Sequence, residues 1–116
     1  MVHLYECMEH IRKLVKEKGH EDTLEAFPLK CLFAIVEISE AVDEWKKNEF
    51  KNKDHIVEEL IDAIFYILDA YGLLVRDLNV ELPDKVFWSK LKKNFKRRYK
   101  YGRPVEDLYY DVPVTC

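Results

Sequence analysis

The sequence predicts an all-α, four-helix bundle-like fold, and three observations predict it. Apolar residues recur every three or four positions in four stretches. Short polar breaks carrying Gly, Pro or Asp at their edges separate these stretches. No segment alternates apolar and polar residues as a half-buried strand would.

The first helix is expected from His3 to about Lys18, where Leu4, Cys7/Met8, Ile11 and Leu14/Val15 form the apolar stripe and Gly19 is the stop. His3, Cys7 and His10 share one face at metal-ligand spacing. No fourth ligand accompanies them, and a Cys beside an apolar stripe is more often core. Gly19 to Ala26 reads as a loop, and Pro28 suits the first turn of a second helix running to about Lys47. The run from Lys46 to Lys53 breaks the pattern, and Asp54 is the expected N-cap of a third helix continuing to about Arg76 through Gly72. So short a connection makes helices two and three antiparallel neighbours. Asp77 to Leu82 is a turn. Pro83 opens a fourth helix that carries Trp88, Leu91 and Phe95 on one stripe and is expected to reach about Tyr101, before Gly102-Arg103-Pro104. Residues 1–104 thus read as one helical domain, and 105–116, with their aromatic and β-branched residues and Pro113, as an extended C-terminal arm.

The second and third helices carry the chemistry. At about 100° per residue, Lys30, Phe33, Glu37, Glu40 and Glu44 share a narrow sector of helix two, while Leu29, Leu32, Ile35, Val36, Ile38, Val42 and Trp45 cover most of the rest. On helix three, Glu59, Asp62, Tyr66 and Asp69 form one stripe among Leu60, Ile61, Ala63, Ile64, Phe65, Ile67 and Leu68. A helix apolar nearly all round is a buried helix. Carboxylates there are strongly destabilising unless they are paired or bind metal. Glu37-Ile-Ser-Glu40 and Glu59-Leu-Ile-Asp62, separated by eighteen residues, would meet as a four-carboxylate cage. One ExxE alone carries almost no information, because such acids usually line solvated faces. Two in apolar context at hairpin spacing are far more specific.

Four hard oxygen ligands suit Mg²⁺ or Mn²⁺ rather than zinc. Magnesium held by carboxylates completes its shell with waters and substrate phosphates, which points to phosphate chemistry. The charge distribution agrees. The net charge is only −3, but Lys85 to Arg103 holds nine basic residues and no acid, whereas Glu37 to Asp69 holds ten acids against four lysines. Lys90, Asn94 and Arg97, at i, i+4 and i+7, would line one face of the fourth helix and supply donors for a polyphosphate. Tyr66, one turn beyond Asp62, could stack on a sugar or base. Lys92, Lys96 and Lys100 are read as a solvated face, and Trp45 and Trp88 as core or interface.

At 116 residues and 48% hydrophobic content, the chain supports one globular core and is not compositionally disordered. Its charge gives no global attraction to nucleic acid or anionic membrane. Three cysteines without CxxC spacing argue against a disulfide framework and for a reducing, cytoplasmic setting. A charged leader and any run of about twenty apolar residues are both missing, so secretion and membrane spanning are not expected.

These motifs resemble those of the MazG-like all-α nucleoside triphosphate pyrophosphatases, whose signature is ExxE, a variable spacer and ExxD. It stands here as Glu37-Ile-Ser-Glu40 and Glu59-Leu-Ile-Asp62, followed by Tyr66. The basic segment of that family is similar to Lys90-Leu-Lys-Lys-Asn94-Phe-Lys-Arg97-Arg98-Tyr99, and the resemblance spans about Leu29 to Arg103. It implies a subunit completed as a homodimer or homotetramer that hydrolyses nucleoside triphosphates to monophosphate and pyrophosphate with Mg²⁺. Glu37, Glu40, Glu59 and Asp62 would be the metal ligands, with one of the first pair also handling the attacking water. Lys90, Asn94 and Arg97 would contact phosphates or sugar, Tyr66 the nucleoside, and Lys30 a phosphate. The loop before helix two carries Glu25-Ala-Phe27-Pro28 where dCTP-directed relatives carry a Phe-His pair, so the base is not assigned.

Two rivals remain at this level. A di-iron carboxylate bundle uses facing Glu residues but normally adds Glu-x-x-His, which neither acid pair has. A non-catalytic nucleic-acid-binding or regulatory module would use the basic fourth helix.

Overall fold

The computed structural model describes residues 3–97 and the backbone of 99–100 and 103–104. It is all-α, with four helices: α1 (Leu4–Glu17), α2 (Phe27–Asn48), α3 (Lys53–Leu78) and α4 (Pro83–Phe95). A short 3₁₀ turn, Leu24–Ala26, precedes α2. Contacts divide the chain into two compact units, Glu6–Val80 and Met1–Tyr5 with Glu81–Cys116. The arm expected over 105–116 lies outside the described residues. Among those described, no helix is long and apolar enough to cross a membrane.

Within Glu6–Val80, α1 stops where its sequence says it should. Gly19 takes φ +72°, its N–H reaches the Lys16 carbonyl, and the His20 N–H reaches the Val15 carbonyl. This is the paired closure of a left-handed helix C-terminus. The apolar stripe of α1 (Met8, Ile11, Val15) is buried against Leu68 of α3, with Cys7, Tyr71 and Val75 packed around it. α2 and α3 form the expected hairpin and bury small residues, Ala34 and Ala41 on one helix and Ala63 and Ala70 on the other, which let the backbones approach closely.

The expectation of burial on every side of α2 and α3 is not met by the single chain. Leu29, Leu32, Ile35, Val36, Ile38, Val42 and Trp45 of α2 are exposed, as are Leu60, Ile61, Ile64, Phe65 and Ile67 of α3. One neighbouring helix covers only one face of another. The N-cap of α3 also differs: it is Asn52, and Asp54 lies in the first helical turn, where a carboxylate still complements the helix dipole. The Asn52 amide is turned to Glu44 at 3.4 Å instead of capping.

In the other unit, the Asp84 carboxylate accepts the N–H groups of Leu4 (2.8 Å) and Tyr5 (2.7 Å), satisfying two donors at the start of α1. α4 ends at Phe95, not at Tyr101. Lys96 N–H divides itself between the Lys92 and Lys93 carbonyls, and Arg97 N–H reaches Asn94, a tightening that closes the helix. Tyr99–Lys100 then pairs antiparallel with Arg103–Pro104. Strands of two residues are too short for their alternation to show in a sequence.

Candidate metal centre

The sector shared by Lys30, Phe33, Glu37, Glu40 and Glu44 on α2 faces its counterpart on α3, and the pairs follow one another as rungs. Lys30 Nζ lies 2.5 Å from Asp69 Oδ2. The rings of Phe33 and Tyr66 meet with centroids 5.3 Å apart. Glu37 and Asp62 line the same cleft. Carboxylate oxygens of Glu37, Glu40 and Glu59 lie within 4.8 Å of one another. At the far end Glu44 takes hydrogen bonds from Asn48 (2.6 Å) and Asn52, and His55 Nε2 stands 3.6 Å from Glu59 Oε1.

Helical periodicity therefore places the acids, and the antiparallel hairpin brings them together. Asp62 belongs to the cleft beside Glu37 but stands outside the group of three. Glu59 is buried, Glu37 and Asp62 are half-buried, and Glu40 is exposed. Glu59 Oε2 is buried without a hydrogen-bond partner, although carboxylates normally enter a protein interior only with donors or cations around them.

The electrostatics record the same crowding. The Glu59 carboxyl pushes Glu40 above the ordinary carboxylate range, with loss of hydration adding to it, against opposition from Glu37 and His55. Glu59 is itself raised, first by the Glu37 carboxyl, with Glu40 opposing and burial adding. Glu44, relieved by the Asn48 amide, is lowered. Burial raises the Tyr66 phenol, and the surrounding acids, Glu37 first, raise it further, so its hydroxyl remains a donor. Carboxyls crowded in this way present the donor set of a hard divalent cation site.

Next to this cluster lies a cleft of about 220 Å³. Glu37, Asp62, Tyr66 and Asp69 form its polar side, Ile11, Leu14, Val15 and Phe65 its apolar side, and His20 also lines it. Below it, Asp69 is held from two directions, by Lys30 and by Arg12, and the Arg12 guanidinium continues to Asp22, which Arg76 also meets at 3.1 Å. Lys30 is thus buried and engaged by Asp69, which is where the structure places this sequence-predicted phosphate contact. Lys90, Asn94 and Arg97 belong to the other compact unit and are exposed there, the first two on α4 and Arg97 just beyond its end.

Sequence reasoning missed His20, His55 and the Asp69 network. Asp69 was visible on the acid stripe, and His55 precedes Glu59 by one helical turn. His20 sits in a loop, where no periodicity signals a position. His3, Cys7 and His10 do not gather: among the described residues the metal-capable group is the three glutamates. No protein-family model, curated protein or solved structure matches this chain.

Proposed function

We propose that the protein is a MazG-like, divalent-metal-dependent pyrophosphohydrolase that converts nucleoside triphosphates to monophosphate and pyrophosphate. The observation that carries the reading is the unpartnered Glu59 oxygen amid carboxylates that crowd to within 4.8 Å between two antiparallel helices. Carboxyls so crowded need a shared proton or a cation between them.

Glu37, Glu40 and Glu59, with Asp62 beside them, would hold Mg²⁺ or Mn²⁺. A cation bound there supplies charge neutralisation for phosphate oxygens and acidifies water. Glu37 or Glu40 orients the attacking water and takes its proton. Oxygen adds to the α-phosphorus, the bond from that phosphorus to its bridging oxygen breaks, and pyrophosphate leaves. The apolar side of the cleft excludes water around the nucleoside, and the protonated Tyr66 hydroxyl donates a hydrogen bond to it.

Two further parts belong to this reading. A second copy of the chain covers the exposed apolar faces of α2 and α3, as a homodimer or a homotetramer. The free Cys7 and Cys31 and the odd cysteine count fit a reducing cytoplasm.

The test is pyrophosphate release from a mixed nucleotide pool with Mg²⁺. Wild type is expected to release it. Glu40→Gln and Asp62→Asn are each expected to lower turnover at least about a hundredfold, in line with the loss of a centre stabilising developing charge, while helix content is retained. Full turnover in both variants overturns the residue assignment. An inactive wild type that binds nucleic acid with a steep salt dependence favours the binding module.

A further inference from the structure

On α1, Glu9, Arg12, Lys13 and Lys16 recur at i, i+3, i+4 and i+7 and so share one face. Gly72, Val75 and Arg76 recur at i, i+3 and i+4 on α3. These two sets line a cleft of about 410 Å³, larger than the one beside the acid cluster, with Met8 and Asp22 completing it.

Two of its cations are fixed in place. Arg12, whose stem lies against Gly72, gives one terminal nitrogen to Asp69 and the other to Asp22. Arg76 meets the same Asp22 oxygen at 3.1 Å, the Asp22 carbonyl at 2.9 Å and Asp77 at 2.7 Å. Guanidinium groups held in this way have already lost the side-chain freedom that a ligand would otherwise have to remove. Lys13 and Lys16 differ: both are exposed, and among the described residues no carboxylate stands within ion-pair distance of either. Lysines on a helix usually face water alone. These two line a cleft that already carries two fixed cations, and only Glu9 and the doubly engaged Asp22 oppose them. Like charges gathered beside the apolar Met8 and Val75 repel more than they would in bulk water, and an anion with several oxygens relieves that repulsion.

We propose that this cleft binds a polyphosphate, free or carried by a nucleoside, with Lys13 and Lys16 as its ammonium contacts and Arg12 and Arg76 as the fixed wall. Four cations spread along two helices suit two linked phosphates better than one. The site needs no divalent cation, and Glu37, Glu40, Glu59 and Asp62 do not line it.

The test is calorimetric titration of the full chain with inorganic pyrophosphate and a metal chelator, so that the acid cluster holds no cation and repels the probe. Wild type is expected to bind. Lys13→Gln combined with Lys16→Gln should weaken binding at least about tenfold through the loss of two charge-assisted contacts, with helix content unchanged because both side chains are exposed. Lys51→Gln combined with Lys53→Gln removes the same charge from exposed positions outside the cleft and should weaken it less than about threefold. Adenosine diphosphate forms a second arm: binding no tighter than that of pyrophosphate assigns the site to the phosphates alone, and tighter binding places a nucleoside against Met8 and Val75. A wild type that binds neither probe, or equal losses in the two double variants, overturns the site. Both results leave the reading of the acid cluster standing, since no cation takes part.

Discussion

Glu59 shows how one side chain can couple stability to pH. Glu40 and Glu59 are both raised in the folded chain from an ordinary value of 4.5. Just above that value the folded chain binds more protons than the unfolded one, so this cluster costs stability as pH rises through the raised values. Glu44 and Asp77 work in the opposite sense, since Asn48 and Arg76 lower them and their contribution disappears as pH falls. The difference between wild type and Glu59→Gln isolates the cluster. Melting temperatures from about pH 4 to about pH 7 are expected to decline more steeply in wild type, and Mg²⁺ should recover part of the loss at the upper end. Identical profiles would remove Glu59 from the cluster. Asp69 has the opposite character, a buried acid supplied with two cations. Asp69→Asn leaves Lys30 without its counter-charge and should cost about 3–5 kcal/mol in urea unfolding. Asp22→Asn, at a more exposed carboxylate, should cost clearly less.

At the scale of elements, the α1–α3 contact turns on Gly72. A β-carbon there would stand 2.5 Å from Arg12 Cδ, and the Arg12 head is fixed by Asp69 and Asp22. Glycine in mid-helix costs about 1 kcal/mol relative to alanine, so the Arg12 stem is what justifies it. Gly72→Ala should destabilise wild type by about 1–3 kcal/mol through overpacking. In an Arg12→Ala background the same change should stabilise by up to about 1 kcal/mol, because only helix propensity is left. Denaturation of the four proteins of this cycle measures the reversal, and equal signs in both backgrounds would refute the explanation.

At the scale of the molecule, the apolar sides of α2 and α3 form a large exposed surface among the described residues. Exposed apolar residues in this number mark an interaction surface. The proposed self-association is tested by Leu32→Glu combined with Ile64→Glu, two exposed positions outside the acid ladder. Light scattering after size exclusion should show an oligomer for wild type and a monomer for the double variant. A wild type that runs as a monomer at high concentration would remove the second copy from the site.

Helix count, the antiparallel hairpin and the acid motif were legible in the chain, because helical periodicity converts spacing directly into a shared face and a short connection forces neighbouring helices to run oppositely. The facing stripes of Glu37 and Glu40 on α2 and of Glu59, Asp62 and Tyr66 on α3 follow from that spacing, although Asp62 stands outside the group of three glutamates. The Tyr101 end expected for α4 was not reached, since helix termination depends on which carbonyls find a donor. Three things were decided only by tertiary structure: that Lys30 turns to Asp69, that His20 reaches the cleft from a loop, and that one oxygen of Glu59 is left without a partner. Each depends on what stands opposite a residue across a gap, and a linear pattern records the face a side chain occupies without recording what meets it there.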